Sequence, residues 1–155
     1  MSSKRPLTSR QPLPAGQQAL PEVLRVRVAF ADTDAMGVAW HGNYLRWFEM
    51  ARTELMRPTE LPYSVLVGRG VHLPVIEAFV RYRKPARYDD LLVVRAGGMR
   101  SSGARLRIDY RIECDAALIA TGHTEHAFTD ATGRVIRPPA DVQEIFARLS
   151  AAQGG

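Results

Sequence analysis

An unusually apolar helical segment, residues 44–57, constrains the fold of this chain more than any other feature. Its apolar residues recur with the period of an α-helix and occupy most of the circumference, which leaves only a narrow polar face. They are Tyr44, Trp47, Phe48, Ala51 and Leu55, widened by Leu45, Met50 and Met56. Such a helix must be covered on most sides, and Pro58 is expected to end it.

The segments on either side of this helix alternate mainly with the period of β-strands. Strands are predicted at 23–31, 75–83, 91–100, 105–114 and 117–129, short helices at 63–68 and 141–149, and a hairpin turn at 101–103. This order is typical of an α+β fold in which a curved antiparallel sheet wraps around a long central helix. Since one sheet covers that helix only in part, a second subunit is expected.

The chain of 155 residues is expected to form one domain, which we place at 22–150. Residues 1–21 and 151–155 are predicted to be flexible termini. No apolar run approaches the ~20 residues of a membrane span, and the N-terminus lacks the apolar region of a secretory signal, so we expect a cytoplasmic protein. The single cysteine, Cys114, excludes an internal disulfide and is interpreted as a small buried apolar residue.

The net charge of +5 does not indicate a nucleic-acid partner. Lys4, Arg5 and Arg10 fall in the predicted tail, where no acidic residue occurs. Removing these three from the 21 basic residues leaves 18 against 16 acidic ones, so the domain itself is nearly neutral. A mild local excess of arginine would still suit a ligand that carries phosphates.

The loop directly ahead of the helix contains Asp34 and His41, with Gly37 between them. A helix start exposes backbone N–H donors and the positive end of the helix dipole, which can hold an oxyanion while a nearby carboxylate handles water. Gly37 lets the backbone approach a ligand closely. The loop therefore indicates a hydrolytic site, although Asp34 could simply be a turn or N-cap residue, and His41 could cap the helix or stack on Trp40.

Five further polar residues have ordinary interpretations. Asn43 suits the N-cap of the helix, and Asp32 is expected to fix the loop. The spacing of His123 and His126 suggests a metal site. Residues three apart in a strand face opposite sides of the sheet, however, so no metal is expected. Glu77 shares its strand face with two arginines, which favours an ion pair over a role near the substrate.

With these residues the chain resembles the hot-dog-fold acyl-CoA thioesterases, in their hydroxybenzoyl-CoA and YbgC-like branch. The resemblance covers about residues 23–148. It rests on Asp32-Thr33-Asp34-Ala35-Met36-Gly37-Val38, on His41-Gly42-Asn43-Tyr44, on Arg52-Thr53-Glu54 and on Pro85-Ala86-Arg87-Tyr88-Asp89-Asp90. It implies a curved antiparallel sheet around the helix, no cofactor, and dimers or tetramers with sites at the subunit interface.

The resemblance also implies roles for individual residues. Asp34 matches the catalytic carboxylate, and His41 matches the residue whose backbone N–H polarises the thioester carbonyl. The residues expected to bind the substrate are Gly37, Val38, Tyr44 and Glu77, with Arg100 and Arg105 near the coenzyme A phosphates. The turn between these two arginines, 101–103, is not basic, which is a departure from the family pattern.

The function expected from the sequence is hydrolysis of an acyl-CoA thioester to a carboxylic acid and free coenzyme A. Asp34 would act as general base or as nucleophile, and the sequence does not separate the two. The alternatives are a hot-dog hydratase or dehydratase acting on acyl thioesters, and a non-catalytic module that binds acyl-CoA or an acyl carrier. The identity of the acyl group cannot be read from the sequence.

Overall fold

Five strands form one antiparallel sheet in the computed structural model, which describes residues 20–153. The strands are β1 (Glu22–Arg27), β2 (Val75–Tyr82), β3 (Leu91–Ser102), β4 (Arg105–Cys114) and β5 (Ala117–Ala127), in the spatial order β1-β3-β4-β5-β2. The helices are α1 (Asn43–Met56), α2 (Tyr63–Gly68) and α3 (Ala140–Gln153). The curved sheet with one long central helix confirms the α+β hot-dog arrangement expected from the sequence.

Helix α1 forms the centre of the core. Its buried side chains are Tyr44, Trp47, Phe48, Ala51, Leu55 and Met56. The ring of Phe48 stacks on that of Tyr110 in β4, with 4.4 Å between centroids and 8° between planes. Gly122 in β5 makes this packing feasible, because a Cβ there would lie only 2.6 Å from Cε2 of Phe48. The sheet therefore approaches the helix most closely at a residue without a side chain.

One flank of α1 stays uncovered within a single chain. Leu45, part of the predicted apolar surface, is 41% exposed. Strand β2 lies at an edge of the sheet beneath this flank and carries exposed apolar side chains, among them Ile76 and Phe79. An unpaired strand edge offers backbone N–H and C=O groups to another chain. The uncovered flank and the open edge are therefore adjacent.

The predicted strand 23–31 is wrong in its last four residues, since β1 ends at Arg27. The carboxylate of Asp32 accepts a hydrogen bond from the backbone N–H of Ala29 at 2.9 Å, and Phe30–Asp32 forms a short 3-10 helix. This side-chain acceptor competes with the strand ladder and turns the chain toward α1. The expectation that Asp32 fixes the loop is thereby confirmed.

Three local predictions need correction. The N-cap of α1 is Gly42 rather than Asn43, whose side-chain amide instead donates to the backbone oxygen of Asp32 at 2.7 Å. Cys114 is half-buried at the end of β4, so it is less enclosed than predicted. Strand β3 continues through Ser102, so the hairpin turns at Gly103, whose φ of +58° favours glycine.

The predicted flexible termini fall mostly outside the described residues. The structure does not describe residues 1–19 and 154–155. Leu20, by contrast, is buried, and its backbone oxygen accepts a hydrogen bond from Arg95 at 3.2 Å. Helix α3 runs to Gln153, four residues past the predicted end. Among the helices of residues 20–153, none has the length and hydrophobicity needed to cross a membrane.

Candidate active site

The loop between the 3-10 helix and α1 is held by backbone and side-chain contacts on both sides. The backbone N–H of Trp40 donates to the oxygen of Asp32 at 2.8 Å, and that of Ala39 donates to Ala86 at 2.8 Å. Arg46, one turn into α1, forms a salt bridge with the carboxylate of Asp32. The loop is therefore tied to the first turn of the helix and to the segment that follows β2.

Asp34 lies in a tight turn within this loop. The backbone N–H of Gly37 donates to the backbone oxygen of Asp34 at 3.0 Å. Gly37 has a φ of +75°, a value at which glycine is favoured. One carboxylate oxygen, Oδ1, accepts from the backbone N–H of Met36 at 2.9 Å. No described residue donates to the other oxygen, Oδ2, which leaves it available to a ligand.

His41 occupies the position just before the N-cap of α1. Its backbone oxygen accepts a hydrogen bond from the hydroxyl of Tyr82 at 2.8 Å. Its ring is exposed and lies 5.1 Å from that of Trp40, but the two planes are tilted by 51°, so the rings are in contact without being stacked. Within residues 20–153, the backbone N–H of His41 donates to no acceptor, so an unpaired donor stands at the positive end of the helix dipole.

Asp34 and His41 line one cavity of about 410 Å³, which we call the loop cavity. Its full lining is Asp34, Met36, Val38, Ala39, His41, Tyr44, Tyr82, Arg83, Lys84 and Pro85. The structure thus brings together the predicted residues Asp34, Val38, His41 and Tyr44, with Gly37 in the adjoining turn. A carboxylate, an unpaired amide and two cationic side chains around one cavity can hold an anionic ligand and deliver water to a carbonyl group.

Tyr44 and Tyr82 form the wall of the loop cavity that faces the sheet. Their rings meet edge to face, 4.8 Å apart and at 88°. Burial raises the pKa of each hydroxyl above its ordinary value. Both groups therefore stay protonated near neutral pH and act as hydrogen-bonding groups rather than as bases.

Three predicted site residues do not reach the loop cavity of their own chain. Arg100 pairs with the buried carboxylate of Asp109 at 3.1 Å, and Arg105 lies 3.6 Å from Glu125. Glu77 contacts Nε2 of His123 at 3.1 Å, so its partner is a histidine rather than the arginines expected from its strand face. All three residues lie away from Tyr82, either toward the other end of the sheet or on its middle strands.

Sequence reasoning missed Tyr82, Arg83 and Lys84 as site residues. Tyr82 is 41 positions from His41, and only the pairing of β2 with β5 brings the two together. Arg83 and Lys84 follow the end of β2, where both backbone N–H groups bond to the oxygen of Ile119. The basic pair Arg83 and Lys84 beside Pro85 was the available sequence signal. The sequence alone, however, does not place this pair near Asp34.

A second cavity, of about 560 Å³, lies between the uncovered flank of α1 and the start of β2, and we call it the flank cavity. Arg52, Tyr110 and Thr124 are among the residues that line it. Behind them His126 is fully buried, whereas His123 points to the other side of β5 toward Glu77, as the strand alternation predicted. Burial lowers the pKa of His126 to about 4, so its ring is neutral at physiological pH.

The curved antiparallel sheet wrapped around the central helix defines the hot-dog fold. The sequence pattern of the thioesterase-like superfamily matches residues 28–146, which is most of the chain. The chain therefore belongs to the thioesterase-like superfamily.

Individual relatives agree with this assignment. The acyl-CoA thioesterase YbgC of Haemophilus influenzae is 29% identical over 126 residues, which are 80% of this chain and 93% of the relative. The crystal structure of DHNA-CoA thioesterase from Staphylococcus aureus has a TM-score of 0.78 at 29% identity, covering 84% of this chain and 91% of that one. A hypothetical protein from Thermus thermophilus has a TM-score of 0.78 at 34% identity, with 83% and 99% covered.

Proposed function

We propose that this protein hydrolyses acyl-CoA thioesters to a carboxylic acid and free coenzyme A. The observation that carries the proposal is that Asp34 and the unpaired amide of His41 line the same cavity. The names of the Haemophilus influenzae and Staphylococcus aureus proteins support a coenzyme A thioester as the substrate. The cytoplasmic location expected from the sequence stays a prediction.

In the proposed reaction a water molecule attacks the thioester carbonyl carbon. Oδ2 of Asp34 accepts the proton from that water, while the backbone N–H of His41 donates to the oxyanion that forms. The tetrahedral intermediate collapses with cleavage of the carbon–sulfur bond, and the proton held by Asp34 passes to the departing thiolate. In the alternative, Oδ2 of Asp34 attacks the carbonyl carbon directly, the carbon–sulfur bond breaks, and the departing thiolate takes a proton from water. A second water then hydrolyses the mixed anhydride, which releases the carboxylic acid and restores Asp34.

Coenzyme A carries several phosphates, and the loop cavity offers cations for them. We place Arg83 and Lys84 beside the phosphates because both line this cavity and neither forms a salt bridge within residues 20–153. In the same proposal Gly37, Val38 and Tyr44 surround the thioester end of the substrate. A role for Arg100, Arg105 and Glu77 requires a second chain.

We propose a homodimer, alone or as half of a tetramer, formed through the open edge of β2. Two antiparallel copies of β2 would place Val75 of one chain near Tyr82 of the other. Arg105 lies two strands from β2 through its pairing partners in β4 and β5, or about 10 Å at the usual strand spacing. The partner subunit's Arg105 and Glu77 would therefore stand near the loop cavity.

The homodimer is tested by the mass of the chain in solution. Sedimentation equilibrium is expected to give at least twice the 17.2 kDa of one chain, because an exposed apolar strand edge favours pairing. A species of 17.2 kDa that retains full hydrolytic activity would contradict both the interface and the role of the partner subunit.

Thiol release measured with a thiol-reactive dye tests the proposed activity. Hydrolysis yields one free thiol per acyl-CoA consumed, and we expect turnover with at least one member of a panel of short, long and aromatic acyl-CoA substrates. A hydratase would instead change the absorbance of a conjugated double bond without releasing thiol. A binding module would be stabilised against heat by acyl-CoA but would release no thiol, and either result would refute hydrolysis.

A further inference from the structure

A half-buried cation without an acidic partner stands in the wall of the flank cavity. Arg52 lines this cavity from α1, and its Nη1 lies 3.0 Å from Nδ1 and 3.3 Å from Nε2 of His126. Its guanidinium group also lies over the ring of Tyr63, 6.0 Å from the centroid. Within residues 20–153, Arg52 forms no salt bridge with any carboxylate.

The histidine beside Arg52 cannot compensate its charge. His126 is neutral, and its Nδ1 lies 3.0 Å from the backbone oxygen of Leu73, which can only accept a hydrogen bond. Nδ1 therefore carries the ring proton and Nε2 is the acceptor. The hydroxyl of Thr124 donates to Nε2 at 2.8 Å, and the hydroxyl of Tyr110 donates to Thr124 at 2.9 Å.

This chain of hydrogen bonds determines which donors and acceptors the wall of the flank cavity offers to a ligand. Tyr110, Thr124 and His126 use every hydrogen they have on one another and on Leu73, so the phenol oxygen of Tyr110 keeps only acceptor capacity. Arg52 has five N–H groups, most of which find no acceptor in the described chain. The surplus of donors and the positive charge are therefore concentrated on Arg52.

Glu49 is the acidic residue of α1 that lines the flank cavity together with Arg52. It is exposed, and although it precedes Arg52 by one helical turn, the two form no salt bridge in the described structure. The guanidinium group turns inward to His126 and Tyr63 instead. The inner end of the cavity is consequently cationic, whereas the remaining charged lining residues are Glu49 and Arg46, and Arg46 is already paired with Asp32.

The proposed dimer would join this cavity to the reaction site. Val75 and Ala78 line the flank cavity at the start of β2, whereas Tyr82 lines the loop cavity at its end. Antiparallel pairing of two β2 strands would bring the start of one against the end of the other. The flank cavity of one chain then opens beside the loop cavity of its partner, where the acyl chain leaves the thioester carbonyl.

We propose that the flank cavity receives the far end of the acyl group and that Arg52 selects acyl groups ending in a carboxylate. This inference rests on the proposed thioesterase function and names its substrate class. A terminal carboxylate would pair with the guanidinium group through charge-assisted hydrogen bonds, which supplies the missing anion. A methyl-terminated acyl group of equal length would leave the cation unpaired and would desolvate it.

The test compares kcat/KM for adipyl-CoA and hexanoyl-CoA, which have the same chain length and differ in the terminal carboxylate. The unaltered chain is expected to favour adipyl-CoA by about 10-fold or more. Arg52→Gln is expected to lose about 10- to 100-fold on adipyl-CoA and to stay within about 3-fold on hexanoyl-CoA. Arg57→Gln is the matched control, since Arg57 ends the same helix, is exposed and pairs with Glu54.

Each outcome decides between the two proposals. Hydrolysis of hexanoyl-CoA without a preference for adipyl-CoA overturns the role of Arg52 and leaves the thioesterase function standing. Hydrolysis of neither substrate, nor of any other acyl-CoA, overturns both. An equal loss on both substrates in Arg52→Gln would mean that Arg52 is only structural. If Arg52→Gln does not fold, Arg52→Lys, which keeps the charge without the planar fork, is expected to retain a reduced preference for adipyl-CoA.

Discussion

Replacing Asp34 with asparagine is expected to lower kcat for acyl-CoA hydrolysis by at least about 100-fold without unfolding the chain. The asparagine oxygen can still accept the hydrogen bond that Met36 donates to Oδ1 at 2.9 Å, so the turn keeps its shape. The group that takes the proton from water is lost, because an amide is neither a base nor a nucleophile at neutral pH. The measurement is thiol release under saturating substrate, together with the thermal midpoint of unfolding.

Asp130→Asn is the matched control for this substitution. The carboxylate of Asp130 accepts backbone hydrogen bonds within a turn, from Thr132 at 2.9 Å and Arg134 at 3.0 Å, much as Asp34 does. It does not line the loop cavity. We expect this variant to keep its activity within about 2-fold. Unchanged turnover in Asp34→Asn would remove Asp34 from the mechanism.

Replacing Gly122 with alanine is expected to cost at least about 3 kcal/mol of unfolding free energy, or to prevent folding. A Cβ at this position would lie 2.2 Å from the backbone oxygen of Phe79 and 2.6 Å from Cε2 of Phe48. The first atom belongs to the β2–β5 ladder and the second to the ring stacked on Tyr110. Neither can move without opening the sheet or the core.

Urea denaturation of the two proteins measures this effect, and Gly68→Ala provides the comparison. Gly68 ends α2, is exposed and has no atom within 4 Å of an added Cβ. Its replacement is expected to change stability by less than about 1 kcal/mol. If Gly122→Ala unfolds at the same urea concentration as the unaltered chain, the close approach of sheet and helix is not the constraint described above.

Much of the fold could be predicted because long segments obey one period. Helix α1 and strand β4 follow their predicted bounds closely, since apolar residues recur with the period of a helix in the first and of a strand in the second. Strand β1 was predicted too long because Val28 and Phe30 continue its alternation past the point where Asp32 captures the N–H of Ala29. A side-chain hydrogen bond of this kind leaves no trace in the pattern of apolar residues.

The candidate site divides in the same way. Asp34, Gly37 and His41 lie in one continuous loop, so their proximity could be predicted from the chain itself. Tyr82 and Lys84 enter the same cavity only through strand pairing, and sequence spacing carries no information about that. The neutral state of His126 likewise depends on its complete burial. The alternation of a strand does not predict which of its polar residues will be buried.

The hydroxyl of Tyr82 donates to the backbone oxygen of His41, directly ahead of α1. It holds His41 at the edge strand β2, along which the two chains of the proposed dimer would pair. Displacement of β2 would also move the peptide at the start of the helix, because this hydrogen bond joins the two within one chain. We therefore expect kcat to fall when the protein is diluted below the dissociation constant of the proposed dimer.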